Sequence, residues 1–115
     1  MSGRRLEKLN QFIREEVSRI IDRELEFPEE MFATVTRVDT SPDKHYADVF
    51  VSLLGSEPKK ILEILEENVY NIQQKLNRRL RIRPVPKITF LIDEEEMRRE
   101  VVEKSLGELK RKGEI

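Results

Sequence analysis

A chain of 115 residues, 37% of them hydrophobic, suits one domain over residues 1–115 that buries roughly two-thirds of its unfolded surface. Its formal net charge of −1 argues against a uniformly basic coat for nucleic acid, and the lack of cysteine excludes a disulfide framework and thiolate chemistry. The opening "MSGRRLEK" has no apolar core of a secretion signal, and no later stretch approaches the roughly 18 apolar residues of a membrane span, so a soluble cytoplasmic protein without membrane contact is expected.

From Arg4 to Leu25 the apolar residues Leu6, Leu9, Ile13, Val17 and Ile20 recur at spacings of three and four, which predicts a first helix with one buried stripe. Beside that stripe Arg5, Lys8, Arg19 and Arg23 fall on one side of the helix, with Phe12 among them and Glu16 interrupting them. Pro28 ends the helix, since the residue before a proline disfavours helical geometry. The β-branched and aromatic runs "MFATVTRVDT" and "KHYADVFVSLL" flank the turn formers "SPD" and predict a hairpin. In its second strand Ala47, Val49, Val51 and Leu53 alternate with Tyr46, Asp48, Phe50 and Ser52, so one face meets the core and the other is partly open. Gly55 breaks the strand, Ser56 offers a cap, and Pro58 suits a first helical turn. Leu62, Leu65, Val69, Ile72, Leu76 and Leu80 then predict a long helix, stopped by Pro84 and Pro86. "KITFLI" reads as a third strand. Asp93, with Glu96 three positions on, is the cap of a last helix carrying Met97, Val101, Leu106 and Leu109, before the frayed tail "KRKGEI".

Charge is strongly segregated along the chain. Between Asn68 and Ile92 lie Lys75, Arg78, Arg79, Arg81, Arg83 and Lys87 with no acidic residue, so the rest of the chain has a net charge of −7. A local block of this kind is an electrostatic pointer to a polyanion. The arginines of "RRLRIRP" straddle a helix end and a proline turn, from which side chains fan outward. A guanidinium donates bidentate bonds to phosphate and stacks on unpaired bases. Such exposed cations are expected to bind without holding the fold together. Catalytic features are sparse: His45 is the one histidine, "DEEE" at 93–96 reads as a helix start in place of a metal site, and four scattered glycines cannot cradle a nucleotide. No enzyme, metal, cofactor or small-molecule substrate is expected.

Two segments carry a family resemblance. "TVTRVDTSPDKHYADVFVS" (34–52) resembles the hairpin signature of bacterial ribosome-binding factor A: a Thr-Val strand, a Val, Ser-x-Asp, then Ala-x-Val-x-Val. "RLRIRPVPKITFLID" with its preceding arginine is similar to that family's basic segment, in which a proline precedes a hydrophobic-Thr-Phe strand and a closing Asp. The resemblance extends from about Arg4 to Leu109. It implies an α+β, type II KH-like domain ordered helix, strand, strand, kinked helix, strand, helix, with its helices on one face of a three-stranded sheet. It further implies a monomeric factor without enzymatic activity that binds 16S rRNA of the free or immature 30S subunit and assists its late maturation. The family bends its long helix at an Ala-x-Gly, which aligns here with Asn68, Val69 and Tyr70. Asn68 is a poor helix-interior residue and can mark a bend, whereas the unbroken Leu62–Leu76 period fits a straight helix. Where the family has Asp-Pro-Arg after the first helix, Phe27, Pro28 and Glu29 stand, which removes one phosphate contact at Glu29. The candidate RNA contacts are Arg78, Arg79, Arg81, Arg83, Lys87 and Lys75, with Arg5 and Lys8 from the first helix and Lys44 and His45 from the hairpin. A generic KH-like module for single-stranded nucleic acid and a protein-interaction adaptor remain as alternatives.

Overall fold

The computed structural model describes residues 2–99. The first apolar stripe forms α1 (Ser2–Glu24), which buries Ile13, Val17, Ile20 and Ile21. The hairpin consists of β1 (Phe32–Thr40) and β2 (Tyr46–Leu54), and "KITFLI" is β3 (Lys87–Ile92). β2 is central, antiparallel to β1 and parallel to β3. A parallel neighbour requires a crossover, and helices supply it. They pack with α1 on the same face of the sheet, so that Val35, Val49, Val51, Ile88 and Phe90 meet helical Ile61, Leu65, Ile72 and Leu76 in one core.

The crossover is two helices, α2 (Pro58–Glu67) and α3 (Val69–Arg79), parted at Asn68. Asn68 has φ −103° and ψ 2°, the bridge region between helix and strand, and does not enter the left-handed region. Its backbone N–H is shared between the Ile64 and Leu65 carbonyls, each at 3.2 Å, while its side-chain amide donates to Ile64 O at 2.7 Å. That local bond offers the backbone an alternative to helix geometry. The apolar period runs through the break because Ile72 N still donates to Asn68 O at 3.0 Å, which is why the period alone suggested a straight helix. Ser56 is not the cap of α2: Glu57 holds that position without a side-chain cap bond, and Pro58 opens the helix.

β1 departs from strict alternation. Val35 pairs with Val51 and Arg37 with Phe50, leaving Thr36 as an extra residue in a bulge. Val35 and Val38 therefore both face the core, and Thr36 donates its hydroxyl to Asp93 Oδ2 at 2.6 Å. On the open face the Arg37 guanidinium lies 3.8 Å from the Phe50 ring centroid, a cation–π contact. The hairpin turn closes with Lys44 N donating to Ser41 O, and Lys44 takes φ 65°. Beyond β3, residues 94–99 are helical, and Asp93 Oδ1 accepts from Glu96 N at 3.1 Å. Asp93 thus caps the helix, as the sequence indicated. Val101, Leu106, Leu109 and the "KRKGEI" tail lie outside the described residues.

Asp93 joins β1, β2 and the last helix, since its own N–H also donates to Val51 O at 2.8 Å. The Thr36 hydroxyl, the Glu96 N–H and the Arg37 charge hold its carboxyl below the usual carboxylate range. A depressed folded-state pKa stabilises the fold above the unfolded value near 3.9 and stops doing so as pH falls through the folded value. Asp93→Asn is therefore expected to be less stable than wild type at pH 7, with the difference shrinking below about pH 4 in urea titrations; a constant difference would contradict this. Gly55 has φ +145°, and a Cβ there would lie 2.8 Å from Met31 Cγ. Gly55→Ala is expected to cost about 1–3 kcal/mol in the same measurement.

Candidate nucleic-acid interface

Helices α1 and α3 run antiparallel, as two ion pairs along their seam show: Glu16 meets Arg79 at one end and Glu24 meets Lys75 further along. Glu16 is the buried member. Its carboxylate accepts from Arg19 Nη1 at 3.0 Å and from Arg79 Nε at 3.2 Å. A carboxylate taken out of water is stable only with partners of this kind. The residue that interrupts the basic strip of α1 is thus what fastens that strip to α3.

Between the two helices lies an open groove lined by Arg19, Arg23, Lys75, Arg78 and Arg79 against Glu16 and Glu24. Five cations face two carboxylates, leaving +3. The groove continues past Ile20, Glu24, Lys75 and Arg78 toward the α2/α3 break, where Asn68, Tyr70, Asn71 and Gln74 line it. A positive trough with an aromatic ring and amides at one end suits a polyanion carrying planar bases.

The ten candidate contacts do not form one patch. Lys75, Arg78 and Arg79 line the groove. Arg81 is exposed on the loop after α3. Lys44, His45 and Lys87 sit together at the hairpin end, where Lys87 N donates to His45 O at 2.9 Å. Arg5 and Lys8 are exposed on the first half of α1, upstream of Asn10, whose side chain accepts from Thr40 N at 2.9 Å. That bond brings the start of α1 beside the same hairpin end.

Two arginines hold the fold, contrary to the expectation that the whole cluster is free. Arg79 satisfies Glu16. Arg83 turns back and donates through Nη1 to Leu80 O and Ile82 O, both at 2.8 Å. It thereby ties the loop that follows α3 to the helix end, with Nη2 also 3.5 Å from Asn77 O within α3. Among the described residues Arg78, Arg81 and Lys87 have no ion pair, and all three are exposed. Arg19 and Arg23 are legible in the sequence as a basic strip but are not among the candidate contacts, because nothing local says that the strip faces α3. Tyr70, Asn71 and Gln74 are not among those candidates either, and their one sequence signal is that they lie off the apolar period of their helix.

Comparison with known proteins agrees with this architecture. The family model described as ribosome-binding factor A matches residues 5–106. A ribosome-binding factor A of Natranaerobius thermophilus is 43% identical over 96 residues, covering 82% of this chain and 73% of the relative. One from Macrococcus caseolyticus is 35% identical over 109 residues, covering 93% and 96%. Among solved structures, the Thermus thermophilus ribosome-binding factor A crystal structure aligns with a TM-score of 0.65 at 27% identity, covering 74% of this chain and 91% of that one. A homology model of the Thermus thermophilus factor, fitted into a cryo-electron-microscopy map of a 30S–RbfA complex, aligns at 0.64 with 28% identity, covering 75% and 92%. With its KH-like arrangement of helices on one face of a three-stranded sheet, the chain belongs to the ribosome-binding factor A family.

Proposed function

We propose that this protein, acting as one domain, binds 16S rRNA of the small ribosomal subunit through the α1/α3 groove and assists late maturation of that subunit in the cytoplasm. The observation that carries the reading is the groove itself: five cations from two helices converge on one trough although the chain as a whole is slightly acidic. Segregation of this kind concentrates a positive field where it can meet phosphate and leaves the remaining surface to repel RNA. The complex formed by the Thermus thermophilus relative with the 30S subunit supports the choice of partner. The family is named for ribosome binding and not for a reaction, which supports a binding role. Among the described residues no helix is long and apolar enough to cross a membrane.

Within the groove, charge and structure divide the work. Arg23 and Arg78 offer forks for phosphate. Arg79 and Arg19 are oriented by Glu16, and Lys75 by Glu24. The hairpin end, with Lys44, His45, Lys87, Arg5 and Lys8, forms a second positive region that extends the contact beyond the groove. Arg81 lies on the loop after α3. Arg83 contributes by holding the end of α3.

This division separates two kinds of arginine. Arg23→Gln and Arg78→Gln are each expected to lower the log–log salt slope of RNA binding by about 0.7 while stability stays within about 0.5 kcal/mol. Arg79→Gln leaves Glu16 with one partner and is expected to cost about 1 kcal/mol of stability, a value discounted for the solvent exposure of both arginines. Chemical denaturation and salt-dependent binding read the two effects independently, and equal stability losses at Arg78 and Arg79 would contradict the assignment.

The partner is tested by gradient fractionation of a lysate. The protein is expected with free or immature small subunits, in preference to large subunits or assembled ribosomes. An even spread over all ribosomal fractions, or absence from them at low salt, would favour a generic single-stranded nucleic-acid module instead.

A further inference from the structure

The end of the groove beside the α2/α3 break differs chemically from its cationic middle. Tyr70 is 71% exposed, the most exposed of the large apolar side chains described, and it has no ring or hydrogen-bond partner among the described residues. Asn71 and Gln74 flank it in the same trough and are exposed. The neighbouring glutamine shows the contrast: Gln73 is spent on the fold, donating to Pro86 O at 3.0 Å and accepting from Ile88 N at 2.8 Å. Tyr70, Gln74 and Arg78 follow one another at four-residue spacing along α3, so they make a ridge about 12 Å long. An aromatic face stands at one end, an amide in the middle and a guanidinium without an ion pair at the other.

We propose that this ridge binds an unpaired RNA nucleotide, with the base stacked on Tyr70, its hydrogen-bonding edge met by Asn71 or Gln74, and the adjoining phosphate held by Arg78 and Lys75. The inference rests on the RNA-binding reading of the groove and adds to it a requirement for single-stranded RNA. A paired base has neither a free face for the ring nor a free edge for the amides, so duplex RNA can use only the cations. Stacking on an aromatic ring tolerates any base, whereas the amides can prefer one base over another. The subsite therefore supplies strand selectivity first and sequence preference second.

The chain contains no tryptophan and two tyrosines, Tyr46 and Tyr70, which makes Tyr70 an internal probe. In a Tyr46→Phe protein all tyrosine emission comes from Tyr70. Adding a single-stranded RNA of about ten nucleotides is expected to quench it, and the same RNA in a duplex is expected to leave it unchanged. Tyr70→Ala is expected to weaken single-stranded binding about tenfold without changing the salt slope, since no phosphate contact is lost. Tyr70→Phe should bind within about twofold of wild type, because the ring face remains. Both side chains are at the surface, so a denaturation midpoint equal to wild type accompanies each variant. Binding without quenching, or Tyr70→Ala binding as tightly as wild type, would overturn the subsite. If Arg23→Gln and Arg78→Gln still lower the salt slope in that case, the groove reading survives; if they too are silent, both readings fall.

Discussion

The arrangement of the positive groove depends on a buried carboxylate. Glu16 sits on the core side of α1, where an ionised side chain is stable only if cations reach it, and Arg19 from its own helix and Arg79 from α3 do so. This requirement fixes the seam between the two helices: with Glu16 opposite Arg79, antiparallel packing brings Glu24 opposite Lys75 and the end of α1 opposite the α2/α3 break. The carboxylates that partly neutralise the groove are the same groups that hold three of its five cations, Arg19, Lys75 and Arg79, in place. A trough built from arginines alone would repel itself; two carboxylates within it lower that cost and leave a net positive charge for a ligand.

The rest of the fold serves this seam. The sheet gives α1 and α3 a common floor, and the parallel placement of β3 beside β2 forces a helical crossover above it. Asn68 divides that crossover so that α2 covers the sheet while α3 lies along α1. Gln73 ties α3 to the start of β3, and Arg83 closes the helix end, so the basic segment is anchored at both ends. Asp93 performs the corresponding task at the far end of the sheet, where the β1 bulge, β2 and the last helix meet on one carboxylate.

Much of this was legible in the sequence, and the limits follow physical lines. Periodic burial announced Ile13, Val17, Ile20, Leu65, Ile72 and Leu76, because spacing along one helix reports which face is dry. The six residues of "KITFLI" are β3 without adjustment, and Asp93 caps the helix that it was expected to cap. Asn68 drew attention as a poor helix former, but the continuing apolar period masked the break because the stripe needs only approximate phase. The Thr36 bulge is not legible in the sequence, since the carboxylate that its hydroxyl meets, Asp93, lies 57 positions away. Arg79 and Arg83 read as free cations for two different reasons. Arg79 has its partner 63 positions away, and Arg83 folds back on carbonyls beside it in the chain, a conformation that a charge count does not register. Composition located the positive charge, and tertiary structure decided which part of it remains available.

On the proposed reading, the seam between α1 and α3 is where this protein meets ribosomal RNA. Ultraviolet cross-linking of the protein to precursor small subunits, followed by identification of the peptides and the nucleotides joined, tests it most directly. Cross-links are expected on peptides containing Arg19 to Arg23 and Tyr70 to Arg79, joined to 16S rRNA at unpaired nucleotides. Cross-links confined to the open face of the sheet around Arg37 and Phe50, with the α1 and α3 peptides unmodified, would contradict it.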